Sequence, residues 1–143
     1  MKVVLQRVTQ AHVDVAGKTV GSIRSGMLIL FGVGKNAHAD QIPRLANKLL
    51  NLRMFSDVND KMNLSLFDIK GEALIISQFT LYANCNEGRR PSFVDAAQPE
   101  IARTLYDAFV EEMKKSGLTI QTGIFGAKME VHLINDGPVT FII

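Results

Sequence analysis

Ser77, Gln78, Phe79 and Thr80 interrupt an apolar run. They follow "ALII" (Ala73 to Ile76) and lead into Leu81, Tyr82 and Ala83. The eleven residues together read as a buried strand. Along it Ser77, Phe79 and Leu81 face one way, and Gln78, Thr80 and Tyr82 the other, so neither face is uniformly apolar. One reading is an edge strand with a half-exposed face, since strands accommodate Ser and Thr well. The other is a strand end lining a pocket, its backbone amides free to meet a ligand. A hydroxyl nucleophile at Thr80 is a further option, but the sequence places no base for it.

A second polar insertion is "NDGPVT", Asn135 to Thr140. Asn-Asp-Gly is turn chemistry. Pro138 after Gly137 is compatible with the first position of a returning strand. Just upstream, "TGIFGAKMEV" carries two glycines and two bulky apolar side chains, Phe125 and Met129, which by themselves read as core.

Other chemistry is not evident. His12, His38 and His132 stand far apart in sequence without ligand spacing, so surface or satisfied histidines are preferred over a zinc site, and no metal or other cofactor is expected. There is no GxSxG elbow. "FGVGKN" lacks the GxxxxGK[ST] pattern and reads as a tight turn after a strand. Asp57, Asp60 and Asp68 sit in a polar setting and read as solvated carboxylates. An enzyme built on this chain would lack an obvious side-chain machine.

The elements that would position these residues follow from periodicity. Val3 to Val15 is β-branched and roughly alternating, one or two strands. "TVGSIR" is a short strand between the turns "AGK" and "SG". "MLILFGVG" is apolar on both faces, as in a central strand. Ile42, Leu45, Leu49 and Leu52 recur at helical spacing, with Asp40 as N-cap and Pro43 in the first turn. "SDVNDKMN" reads as a loop, and "LSLFDIKG" and "EALIISQFTLYA" as paired strands. "NCNEGRRPSF" is a polar loop. A second helix starts near Gln98-Pro99 with the stripe Ile101, Leu105, Phe109 and Met113, and Gly117 closes it. "AKMEVHLI" and "PVTFII" are two strands around the turn "NDG". The expected fold class is α/β (mixed, borderline α+β): mixed β-sheets packed with two main helices, in a single domain spanning 1–143.

The bulk properties bound the function. The 143 residues are 47% hydrophobic and 21% charged, which is a globular composition. A net charge of +2 leaves no general basic coat, so any nucleic-acid contact must come from local patches. One cysteine, Cys85, excludes an internal disulfide and a CxxC metal site, which fits a reducing cytoplasm. No apolar run approaches the ~20 residues needed to span a bilayer.

"SQFTLYA" and "NDGPVT", with "GRRPSF" and "TGIFGAKMEVHLI" between and around them and the opening "MKVVLQRVTQAHVDV", resemble the D-aminoacyl-tRNA deacylases. The likeness runs from Met1 to the last strand, with the motifs in family order and spacing. It implies hydrolysis of the ester joining a D-amino acid, or a mischarged glycine, to the terminal adenosine of tRNA. It implies a homodimer with the reaction pocket at the subunit interface. Ser77, Gln78, Phe79 and Thr80 would line that pocket. Gly137-Pro138 would be a cis pair reaching into the partner's pocket to exclude L-amino acids. Arg7 would pin that pair through its carbonyls. Phe125 and Met129 would border the substrate. Arg89 and Arg90, beside Pro91, are the candidates for tRNA phosphates, with a plain solvated turn as the alternative reading.

Overall fold

In a computed structural model, which describes residues 1–86 and 88–143, the β-branched opening forms one long strand, β1 (Lys2–Val15). Ala16 and Gly17, both at positive φ, turn the chain into β2 (Lys18–Ile23), and a second turn leads to β3 (Gly26–Gly32). β1 serves both: Lys2 to Val8 pair with β3, and Ala11 to Val15 pair with β2, all antiparallel. The other edge of β1 carries the last strand, β8 (Glu130–Ile142), from Val4 to Asp14. β6 (Glu72–Ser77) joins β3 in parallel, and β7 (Ile120–Thr122) joins β6 in parallel. The result is a six-stranded mixed sheet with a small separate pair, β4 (Phe55–Ser56) and β5 (Met62–Leu64). The expected mixed sheet with two main helices is therefore observed.

The helices are α1 (Gln41–Leu50) and α2 (Pro99–Lys114). Asp40 and Gln98 occupy the cap positions, and Pro99 opens α2 where no amide bond is lost. The Asp40 side chain makes no capping hydrogen bond, contrary to expectation; its own backbone is already helical. Ile101 departs from the expected stripe and is exposed, whereas Leu105, Tyr106, Phe109, Val110 and Met113 are buried.

β3 and β6 are apolar on both faces because both faces are covered. Met27, Ile29, Phe31, Ala73 and Ile75 pack under the helices with Leu49, Met54 and Phe109, where Phe31 and Phe109 stack at 4.3 Å. Leu28, Leu74 and Ile76 face the other way, against Val8, Ala11, Val13 and Ile23, with Met129, Val131 and Leu133 closing over them. The sheet curls back on itself through β1, so its two faces hold two cores. β3 fits closely on β6: a Cβ on Gly26 would collide with the Glu72 carbonyl.

Three expectations about strands fail, each for a local reason. The run "ALIISQFTLYA" is a strand only to Ser77; Phe79–Tyr82 is a turn of 3-10 helix. "LSLFDIKG" does not pair with it. There the Asp68 carboxylate accepts hydrogen bonds from the Ser65 amide (2.8 Å) and hydroxyl (2.7 Å), which closes the segment into turns. "NDG" is not a hairpin turn, since β8 runs through it without reversal. The loop "SDVNDKMN" also holds strand residues: Asp57 accepts from the amides of Asn59 and Lys61 and draws β4 and β5 together.

Glu72 ties β6 to the turn before β3. Its carboxylate accepts from the Arg24 amide (2.8 Å) and from the Arg24 guanidinium (2.9 and 3.1 Å). The backbone hydrogen bond first, and the guanidinium after it, hold this carboxyl below the usual range. A depressed folded pKa contributes stability that is complete above the unfolded value of ~4.3 and is lost as pH falls through the folded value. Melting temperatures of Glu72→Gln should therefore fall less steeply with acid than those of the wild-type chain below that point. Parallel acid limbs would show that the contact contributes nothing to the acid response.

Candidate functional site

The strand β6 ends where α2 crosses the sheet, and a cavity of about 440 Å³ opens there. Its floor is Phe31, Val33 and Ile76; Pro99, Ala102 and Tyr106 of α2 form one wall, and Phe125 to Ala127 with Met129 and Val131 form another. This volume lies within the ~300–1,000 Å³ of small-molecule sites, and the lining is mostly apolar with a few polar groups. Tyr106 is buried and donates its hydroxyl to the Ile75 carbonyl at 2.9 Å. Burial pushes its phenol far above its ordinary pKa, so it stays protonated and cannot serve as a base.

Ser77, Gln78 and Phe79 line the cavity; Thr80 does not. The Gln78 amide donates to the Phe31 carbonyl at 2.8 Å, the last bond β6 makes with β3. The chain then tightens into the 3-10 turn. Among the described residues, neither the Phe79 nor the Thr80 amide has an acceptor, as expected for the first amides of a helical turn. The Phe79 amide is thus an unpaired backbone donor on a cavity-lining residue, and the Thr80 amide follows it just outside the lining. The Thr80 hydroxyl accepts from the Gln78 carboxamide, which cannot take up a proton. Phe79 is 58% exposed, large for a phenyl ring, and packs against Phe93 at 4.9 Å.

Phe125 and Met129 both line the cavity while packing at the margin of the two cores. Phe125 sits against Tyr106 at 5.8 Å. Gly123 lets Met129 lie close: a Cβ there would fall 2.5 Å from the Met129 sulfur and 3.1 Å from Ile76. Sequence reasoning missed Tyr106. The signal was available, because Ala102, Tyr106, Phe109 and Met113 share one face of α2 at helical spacing.

Gly137 and Pro138 are not in this cavity. They lie further along β8, joined by a cis peptide bond, with Gly137 at φ +136°. Arg7 is buried, not a surface ion-pair residue. Its Nε donates to the Asp136 carbonyl (3.0 Å) and lies 3.1 Å from the Asp136 carboxylate, while Nη1 donates to the Met54 carbonyl (2.9 Å). The arginine therefore holds the residue before the Gly-Pro pair, not the carbonyls of the pair itself. Asn135, unassigned from sequence, fastens the other side: its side-chain oxygen accepts from the Val139 amide at 2.8 Å and its nitrogen donates to Thr140.

Arg89 and Arg90 are exposed in a loop closed by paired hydrogen bonds between Asn84 and Ser92. Glu87, within the same expected polar loop, lies outside the described residues. Packing of Phe93 on Phe79 sets the base of this loop beside the cavity rim. The histidines are less scattered than their spacing implied: β1–β8 pairing puts His132 directly opposite His12, with the rings stacked.

The Gly137 segment can be tested by stability. A Cβ at Gly137 would lie 2.6 Å from Val139 Cγ2 and 3.2 Å from Arg7 Nη2, at a φ that side chains rarely adopt. Gly137→Ala should cost roughly 1–3 kcal/mol. Arg7→Ala, which removes charge-assisted bonds to two carbonyls, should cost at least about 2 kcal/mol. Urea midpoints measure both; unchanged midpoints would mean that the segment is not held as described.

Comparison with known proteins shows the family and the fold. The family described as D-Tyr-tRNA(Tyr) deacylase matches residues 4–143. Proteins named D-aminoacyl-tRNA deacylase are 55% identical in Thermosipho africanus, 57% in Sulfurihydrogenibium sp. and 52% in Aquifex aeolicus. Each alignment covers all of this chain and 96–97% of the relative. Among solved structures, one described as c-Myc DNA Unwinding Element Binding Protein superposes with a TM-score of 0.93 at 39% identity, covering 100% of this chain and 97% of that one. Another, described as a probable eukaryotic D-amino acid tRNA deacylase, gives a TM-score of 0.87 at 18% identity, covering 99% and 97%, and shares the fold. On a match that spans nearly the whole chain, the protein belongs to the D-Tyr-tRNA(Tyr) deacylase family.

Proposed function

We propose that this chain hydrolyses the ester bond of D-aminoacyl-tRNA and of mischarged glycyl-tRNA, releasing the amino acid and free tRNA. The observation that carries the reading is the end of β6. Two amides without internal acceptors follow the end of β6: that of Phe79, which lines a cavity large enough for an aminoacyl-adenosine end, and that of Thr80, the next residue in the chain. They are suited to the oxyanion that forms when water adds to the ester carbonyl; removing one such donor typically costs ~3 kcal/mol in the barrier. The ester, already activated by the neighbouring 2′-hydroxyl, then breaks and the 3′-hydroxyl leaves. Orientation and oxyanion stabilisation suffice, so no side-chain nucleophile is needed.

The working form in this reading is a homodimer. Gly137-Pro138 lies outside its own chain's cavity, so it can wall a cavity only in a second copy. Exposed Phe79 and Ile124 offer apolar surface for that contact. Placed there, the pair would occupy the side of the α-carbon where an L side chain points. A D side chain would point outward and glycine would fit: selection by exclusion. Arg89 and Arg90, on the loop beside the rim, would meet tRNA phosphates. The proposed setting is the cytoplasm, and no helix among the described residues is long and apolar enough to cross a membrane.

Matched D-, L- and glycyl-tRNAs test the reading. The D and glycyl esters should be cleaved and the L ester spared, and sedimentation should show a dimer. Thr80→Ala should retain activity to within about tenfold; a loss beyond about a thousandfold with the fold intact would restore a side-chain nucleophile. Binding of these tRNAs without turnover would instead make the chain a nucleic-acid-binding module.

A further inference from the structure

We propose that His12, His132 and Asp14 form a binding site for a late first-row divalent transition-metal ion such as Zn²⁺, on the outer face of the β1–β8 ladder. The ladder sets His12 opposite His132 and, two residues on, Asp14 opposite Glu130, so these four side chains share one face. The imidazoles stack at 4.4 Å, with their planes 8° apart. Both Nε2 atoms face the same carboxylate oxygen, Asp14 Oδ2, at 3.9 Å from His12 and 3.6 Å from His132. All three donor atoms lie within 4.8 Å of one another.

These separations are too long for hydrogen bonds and close to those across a shared ion. Two ligands each ~2.05 Å from zinc at a tetrahedral angle stand roughly 3.3 Å apart. Closing from 3.6 and 3.9 Å requires the near-parallel rings to rotate out of their stack so that both in-plane Nε2 lone pairs converge on one ion, and the half-buried His12 and the exposed His132 have surface around them to do so. The carboxylate is already oriented for the task. Thr19 donates its hydroxyl to Asp14 Oδ1 at 2.6 Å, which fixes the group and leaves Oδ2 to the histidines. This is the outer-shell support that metal-ligating carboxylates receive. Carboxylates directly opposite on paired strands, as Asp14 and Glu130 are, repel each other, and a bound cation would relieve them. Lys128 borders the same groove with Asp14 and Glu130 and is the competing positive group.

Two imidazoles and one carboxylate favour zinc, copper or nickel over magnesium or calcium, and water would complete the shell. The site is separate from the deacylase cavity. Val131, between Glu130 and His132 on β8, turns to the cavity side, so the ion would sit on the opposite face of the strand. There it would clip β8 to β1 along the strand that carries Gly137 and Pro138.

Zinc titration of chelator-treated, full-length protein tests this by calorimetry, with Co²⁺ absorption reporting coordination. The wild-type chain should bind one equivalent, and zinc should raise its melting temperature. His12→Gln and His132→Gln should each weaken affinity at least tenfold, and Thr19→Val by about tenfold to a hundredfold. His38→Gln and Cys85→Ser should bind as the wild type does. No stoichiometric zinc binding by the wild type, equal binding by His12→Gln and His132→Gln, or loss of binding in Cys85→Ser would each overturn the site.

Discussion

The pairing of β8 with β1 is the constraint on which the rest depends. It runs from Val4 to Asp14, and it is interrupted only by register shifts between Gln6 and Val8 and between Val8 and Gln10. The first of these falls opposite the segment that holds Asp136, Gly137 and Pro138. Arg7 stands at the same place, where its guanidinium bonds to the Asp136 carbonyl instead of leaving that group unpaired. A buried cation is costly unless hydrogen-bonded, so Arg7 and the Asp136 segment fix each other. The same ladder closes Met129, Val131 and Leu133 over the second core and stacks His12 on His132. One strand pair thus sets a cavity wall, the Gly-Pro segment and the histidine pair.

The parallel strands do the complementary work. β3 and β6 are covered on both faces, so their backbone is rigid up to the Phe31–Gln78 hydrogen bond. Beyond it the chain changes from strand to 3-10 helix, and that change frees the Phe79 and Thr80 amides. The polar residues at this point answer to the end of the ladder and to the cavity it borders. Tyr106, anchored through its hydroxyl to the Ile75 carbonyl, keeps α2 against the end of β6.

Much of this was legible in the sequence, where a single physical pattern dominated. The β-branched start, the doubly apolar runs of β3 and β6, and the two helical stripes all announced themselves through burial. Misreadings arose where local hydrogen bonding or distant pairing decides. Ser65 and Asp68 close a turn within a run whose composition suits a strand. Asn-Asp-Gly reads as a turn, yet Arg7 and the Asn135 side chain hold it inside a strand. Phe79 to Tyr82 has strand composition but follows the last available partner on β3. The meeting of His12 with His132 depends on strand register over a separation of 120 residues, which spacing alone cannot reveal. Ser77, Gln78, Phe79, Phe125 and Met129 do converge on one cavity, whereas Thr80, Gly137 and Pro138 stand outside it.

The separation of Gly137-Pro138 from its own chain's cavity leads to the central claim, that a site is assembled from two chains. Subunit complementation measures this directly. One chain carries Ala102→Phe, which fills the cavity, and the other carries Gly137→Ala, which damages the wall. Assembly in trans predicts that neither homodimer is fully active. The mixed dimer regains one working site, because its intact cavity meets an intact Gly-Pro segment. A mixed dimer no more active than either parent, though shown to form, would place cavity and wall in the same chain and contradict the account.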